Sequence, residues 1–219
     1  MKDTFLIDNS KTQTSKTQAA VTPELAREML EKGNERFVKG EPLNRNFEQQ
    51  IQDTTEGQHP FAVVLSCIDS RVPAEIVFDQ GIGDIFSARV AGNFVNDDLL
   101  GSMEFACKLA GSKLIVVMGH TSCGAIKGAC DQVALGRLTQ MLEKLTPAVD
   151  GTSSKPDEDR SSKNLGFVNK VAQKNIELTI ENIQTQSQVL NEQIQNGTVD
   201  IVGAMYDVAS GKVTFLNDK

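Results

Sequence analysis

No apolar run in this sequence approaches the ~20 residues that a helix needs to span a bilayer. The longest, around "FAVVL" and "LIVVM", stop after a handful of positions, which excludes a transmembrane helix. The first twenty residues offer only Phe5, Leu6 and Ile7 as an apolar cluster, too short for the central region of a signal peptide, so a cytoplasmic location is expected. Positive charge is also short: the formal net charge is -7, which argues against the phosphate backbone of a nucleic acid or an anionic membrane as partner. A small neutral or diffusible substrate suits such a surface better. Cysteine occurs only at 67, 107, 123 and 130, too sparse for a disulfide scaffold and without a Cys-x-x-Cys pair for thioredoxin-type redox chemistry. Six positions beyond Cys67 and Cys123 stand Pro73 and Ala129, where the phosphate loop of a cysteine phosphatase would want arginine. The glycines match neither a dinucleotide fingerprint nor a nucleotide phosphate loop. No internal repeat is visible.

What is present describes one folded domain. Hydrophobic residues make up 39% and charged residues 23% of 219, enough for a single well-buried core. Residues 1–20, rich in Thr, Ser, Lys and Gln, read as a flexible N-terminal arm, with an α/β domain over 21–219. Thr22-Pro23-Glu24 has the capping hydroxyl, first-turn proline and acid of a helix start, and Gly40 with Pro42 ends that helix. Leu25, Met29, Leu30, Phe37 and Val38 supply its apolar side.

Short continuous apolar runs then alternate with helical stretches: 61–66, 84–90, 113–119 and 199–208. Runs of this kind belong to parallel strands covered on both faces, so the expected fold is a central, mostly parallel sheet flanked by helices. "NDDLLGSMEFACKLAG" reads as a crossover helix started by Asp97 or Asp98 and closed by Gly111. Residues 150–162 read as a surface loop, and 163 to about 195 as one long helix or two successive ones. "ASGKVTF" reads as a C-terminal hairpin turning at Ser210-Gly211.

The chemistry sits at the ends of two strands. "VVLSCIDSRV" delivers Cys67, Asp69 and Arg71, and "VMGHTSCGAIKG" delivers His120 and Cys123. In open α/β sheets ligands bind beyond the carboxyl ends of the strands. Two thiolates, an imidazole and a carboxylate suit a tetrahedral Zn²⁺, which accepts S, N and O donors. Cys107, inside a helix among Phe105, Ala106 and Leu109, and Cys130, after a Gly-Ala segment, read as packing residues.

In this order "SCIDSRV", "VAGN" and "GHTSCG" resemble the β-class carbonic anhydrases, over about Gly57 to Asp131. The resemblance implies reversible hydration of CO₂ to bicarbonate by zinc-bound hydroxide, on an α/β fold assembled as a homodimer or as a tetramer built from dimers. Cys67, His120 and Cys123 match the zinc ligands. Asp69 either takes the fourth zinc position or turns to Arg71 and leaves it to water, so these two match the catalytic pair. Gln58 matches a hydrogen-bond donor to the substrate oxygen. Phe86 and Phe105 match residues lining an apolar CO₂ pocket, partly from the neighbouring subunit, while Ala91 and Gly92 keep its wall narrow.

Two thiolates cancel the cation's formal charge, so activity is expected to rise toward alkaline pH. The sequence has no tryptophan, on which some members build a second bicarbonate site, so inhibition of that kind is not expected. His59 is a loop residue or a proton shuttle. The alternatives are hydrolysis of carbonyl sulfide or carbon disulfide at the same metal, and a zinc-stabilised scaffold in which Asp69 never leaves the ion.

Overall fold

In a computed structural model, which describes residues 7–216, five strands form one sheet in the order β2-β1-β3-β4-β5. They are β1 (Ala62–Ser66), β2 (Ile85–Arg89), β3 (Leu114–His120), β4 (Asp200–Tyr206) and β5 (Val213–Phe215). The first four run parallel, and β5 returns antiparallel to β4 as the expected hairpin. Alternate side chains of β1 go to opposite faces, which gives the sheet a core on each side, and a third apolar cluster, with Leu145 and Phe167, surrounds Cys67 and Cys123. Val64 joins Leu30, Phe78, Val116 and Val202 on one face. Val63 and Leu65 join Met103, Ile115, Val117 and Ile176 on the other.

β1 and β3 are buried along their whole length, as continuous apolar runs require, but β2 is not. It is the sheet's edge: Ser87 and Arg89 are exposed and Phe86 is half-buried. The edge position leaves one face of β2 open, and Ser87 and Arg89, two residues apart, are the side chains on it.

The helix α2 (Pro23–Lys39), preceded by α1 (Ser15–Ala20), starts and ends where its signals place it. The Thr22 hydroxyl accepts the Leu25 N–H, and Gly40 closes the helix at φ 70°, where a side chain would be strained. Val38, expected on its apolar side, is exposed. Ser15–Ala20, expected in a flexible arm, is a helix with a Thr14–Thr17 capping box. Buried Gln18 fastens it to the body, its Nε2 donating to the carbonyls of Pro60 (2.7 Å) and Ala110 (2.8 Å). Phe5 and Leu6 lie outside the described residues.

After α3 (Phe47–Asp53) and α4 (Ala74–Val77), the crossover between β2 and β3 is α5 (Asp97–Glu104). Its cap is Asn96, whose side chain accepts the Leu99 N–H; Asp97 and Asp98 occupy the first turn, near the positive end of the helix dipole. α5 runs into a widened π-helical turn, Phe105–Leu109, in which the Ala110 N–H donates to the Phe105 carbonyl. Phe105 is exposed while Ala106 and Cys107 face the core, on the stripe begun by Leu100 and Met103. Beyond β3 come α6 (Gly124–Cys130), α7 (Gly136–Glu143), α8 (Thr146–Gly151), α9 (Leu165–Gln186) and α10 (Gln188–Gln195). The last two are the pair expected over 163–195, separated by Ser187, and the loop between α8 and α9 covers most of 150–162. Among the described residues no helix is long and apolar enough to cross a membrane.

Candidate metal centre

Parallel pairing sets Ser66 of β1 opposite Met118 of β3, so Cys67 and His120 leave the sheet at the same edge within about a residue of one another. His120 ends β3 and is fully buried; three residues on, Cys123 caps α6. The Sγ atoms of Cys67 and Cys123 are 4.0 Å apart, and the candidate ligand atoms of Cys67, His120 and Cys123 all lie within 4.8 Å of one another. Two thiolates on one tetrahedral zinc at ~2.3 Å stand ~3.8 Å apart, so the sulfurs are already at the spacing such an ion requires. The imidazole is set for the same purpose. Its Nδ1 lies 2.9 Å from the Thr121 carbonyl, which only accepts, so Nδ1 carries the proton and Nε2 the lone pair. That Nε2 is buried without a hydrogen-bond partner, a costly arrangement that a cation would relieve.

The two thiols titrate as a pair. Cys67 ionises first, lowered to about 4 by the neighbouring Cys123 S–H, by His120 and by the Gly92 amide. Cys123 is pushed up by Cys67 and by burial. A divalent cation that binds both sulfurs as thiolates must release the proton they share.

Asp69 lies beside the cluster, its Oδ2 3.9 Å from His120 Nε2, but is turned away from it. Arg71 grips both carboxylate oxygens, Nε to Oδ1 at 2.9 Å and Nη2 to Oδ2 at 2.8 Å, and its backbone N–H adds a third bond. These bonds hold the Asp69 carboxyl well below the usual carboxylate range. Gly92 adjoins the cluster, with Ala91 before it in the chain. The Gly92 N–H points at Cys67 Sγ (3.4 Å), and the residue must be glycine on two counts: its φ is 83°, and a Cβ would meet Leu145 at 2.7 Å.

Gln58, Phe86 and Phe105 are not brought to the cluster within one chain. Gln58 precedes β1 and lies toward the opposite edge of the sheet, and His59 beside it is half-buried. Phe86 pairs with Val63, four residues and ~13 Å of strand from Cys67. The Phe86 and Phe105 rings meet edge-on, 6.1 Å apart, in an open cleft with Val63, Ala88 and Gly101 beside the bare edge of β2. Cys107 is buried and its thiol pushed up to about 12 by burial alone, an inert packing residue; Cys130 is half-buried.

Three residues that hold the site escape the sequence reading. Asn175 on α9 donates to the Gly92 carbonyl (2.8 Å), Asn169 on the same helix accepts the Ser122 N–H (3.0 Å), and Arg89 caps carbonyls at the end of β1. Ser122 has a φ of 56°, so Asn169 steadies a left-handed residue next to a ligand. For Asn175 a signal existed: it falls on the stripe Val168, Val171, Ala172, Ile176 and Thr179, which is buried throughout. A polar side chain at such a position needs a partner.

The family model for carbonic anhydrase matches residues 62–213. A carbonic anhydrase of Mycolicibacterium smegmatis is 36% identical over 199 residues, covering 87% of this chain and 92% of that one. Tetrameric β-carbonic anhydrases of Sordaria macrospora share the fold, with a TM-score of 0.67 at 24% identity over 78% of this chain and 86% of theirs. A carbon disulfide hydrolase of Acidithiobacillus thiooxidans is 34% identical over 76 residues, 32% of this chain and 35% of that one.

Proposed function

This chain belongs to the β-class carbonic anhydrases, which are carbonate dehydratases, and we propose that it interconverts CO₂ and bicarbonate with a Zn²⁺ held by Cys67, His120 and Cys123. The observation that carries this reading is the buried Cys-His-Cys cluster with an Asp69 carboxylate beside it, clamped off the metal corner by Arg71. A zinc ion in this site would supply Lewis acidity that activates water, less strongly than among neutral imidazoles because two thiolates cancel its charge.

The remaining work falls to side chains. Asp69, kept ionised by Arg71, accepts a hydrogen bond from the attacking water and fixes which lone pair meets the carbon of CO₂. Arg71 prevents the same carboxylate from closing the fourth metal position, the difference between a catalytic and a structural zinc site. Gly92 and Ala91 leave room for a linear triatomic substrate. Gln58, Phe86 and Phe105 reach a metal only from a second copy of the chain, so the working enzyme is a homo-oligomer whose β2 edges and Phe86–Phe105 clefts lie toward the partner.

Zinc content per chain and stopped-flow CO₂ hydration test the reading together. Wild type is expected to hold one zinc and to turn over CO₂, and Asp69→Asn to keep the zinc and lose at least about 100-fold in kcat. Wild type without zinc, or an Asp69→Asn variant as active as wild type, would overturn it. The short match to a carbon disulfide hydrolase favours one second reading, hydrolysis of CS₂ at the same metal. A CS₂ rate exceeding that for CO₂ would select it.

A further inference from the structure

Arg89, the last residue of β2, belongs to neither ligand motif and is exposed, yet its guanidinium makes two bonds to the loop that carries the site. Nε donates to the carbonyl of Cys67 (2.9 Å) and Nη2 to the carbonyl of Asp69 (2.7 Å). The last backbone bond between these strands is Val90 N–H to the Ser66 carbonyl (3.1 Å). Beyond Ser66 the ladder stops, and the two carbonyls that Arg89 reaches are those of Cys67, a proposed metal ligand, and of Asp69, which also accepts the Val72 N–H (3.0 Å). Between them the Ile68 side chain is exposed.

We infer that Arg89 is a positioning residue: its planar fork continues the β1–β2 ladder past the end of β1 and fixes the distance between Cys67 and Asp69. The inference rests on the carbonic anhydrase reading for its catalytic consequence. Asp69 Oδ2 is 3.9 Å from His120 Nε2 and 2.8 Å from Arg71, so a small shift of the loop decides whether the carboxylate stays with the guanidinium or moves onto the metal. A lysine at 89 has one compact ammonium and cannot bridge two carbonyls in fixed geometry.

The test uses the zinc-loaded full chain with Arg89→Ala and Arg89→Lys, and Arg89→Gln as a milder variant should Arg89→Ala fail to fold. Displacement of reacting groups by about an ångström costs on the order of 10- to 100-fold. Arg89→Ala is therefore expected to lose kcat per bound zinc in that range with KM little changed, and Arg89→Lys to recover only part of it. Amide exchange over residues 67–72, followed by mass spectrometry in zinc-loaded and zinc-free protein, is expected to speed up at least about tenfold in Arg89→Ala while the rest of the sheet keeps its protection. Unchanged exchange over 67–72, or kcat per zinc within about twofold of wild type, would overturn the inference. A wild-type chain that does not hydrate CO₂ would sink the functional reading instead, leaving the exchange result to decide whether Arg89 holds the loop.

Discussion

Two aspartate–arginine groups stand at opposite edges of the same sheet, and they do opposite jobs. At the metal edge Asp69 meets one guanidinium from two residues away, and the Arg71 side chain is 50% exposed. At the other edge Asp79 meets two, Arg36 and Arg45, from 43 and 34 residues away, with the Leu43 N–H (3.2 Å) as a third donor. There the Asp79 and Arg45 side chains are only 6% and 3% exposed, and the Asp79 backbone is held at a φ of 45°. The pairing chemistry is the same in both places. What differs is burial and the number of partners: a half-open pair can let go, and a buried triad joining three segments cannot.

That contrast can be broken most readily at Asp79. Replacing it with Asn leaves two cations, one of them buried, and is expected to cost about 3–5 kcal/mol in urea unfolding. Asp69→Asn, by the same measurement, should stay within ~1 kcal/mol of wild type because solvent screens the exposed pair. If both variants lost equal stability, the two groups would not differ as argued.

Asp84, next to the buried triad, sharpens the contrast through pH. Burial raises its carboxyl to about 6, against the favourable Gly81 amide, Arg45 and the Gln13 backbone, while Asp79 raises it further. A folded-state value above the unfolded one means that the protonated form favours the fold. Stability is fully present below about pH 4 and is lost as pH rises through 6, by up to ~3 kcal/mol. Asp84→Asn should therefore raise the melting temperature at pH 8 and leave it nearly unchanged at pH 4. An equal shift at both pH values would contradict the assignment.

The smallest effect is expected at Arg71. Arg71→Lys keeps the charge but loses the two-point grip, so kcat should fall about tenfold with zinc retained and stability scarcely altered. Full activity would show that the geometry of the fork is irrelevant at the metal edge. Between pH 6.5 and 9 the wild-type rate should climb, and a flat profile with zinc intact would count against two thiolate ligands on the metal.

How much of this was legible in the sequence follows the same division. The metal edge was readable because each strand tip carries its chemistry within six residues, Cys67 to Arg71 and His120 to Cys123, and parallel pairing aligns the tips. The Asp79 group was not, since nothing local marks Arg36 and Arg45 as its partners. Phe86 and Phe105 were assigned by resemblance to a pocket supplied partly by a neighbouring subunit, and within one chain Phe86 pairs with Val63, four residues before Cys67, with Phe105 packed against it. β2 read as a continuous buried run although Ser87 and Arg89, two residues apart, already mark one exposed face. The arm over 15–20 looked loose because its anchor is a glutamine, a residue type that composition assigns to solvent.

The widened turn at Phe105–Leu109 acts as a phase shifter. A helix advances about 100° per residue, so Leu100, Met103, Ala106 and Cys107 keep one buried stripe with Phe105 outside it, and the surplus residue in the wide turn resets the phase of the backbone that follows, from Ala110 toward β3.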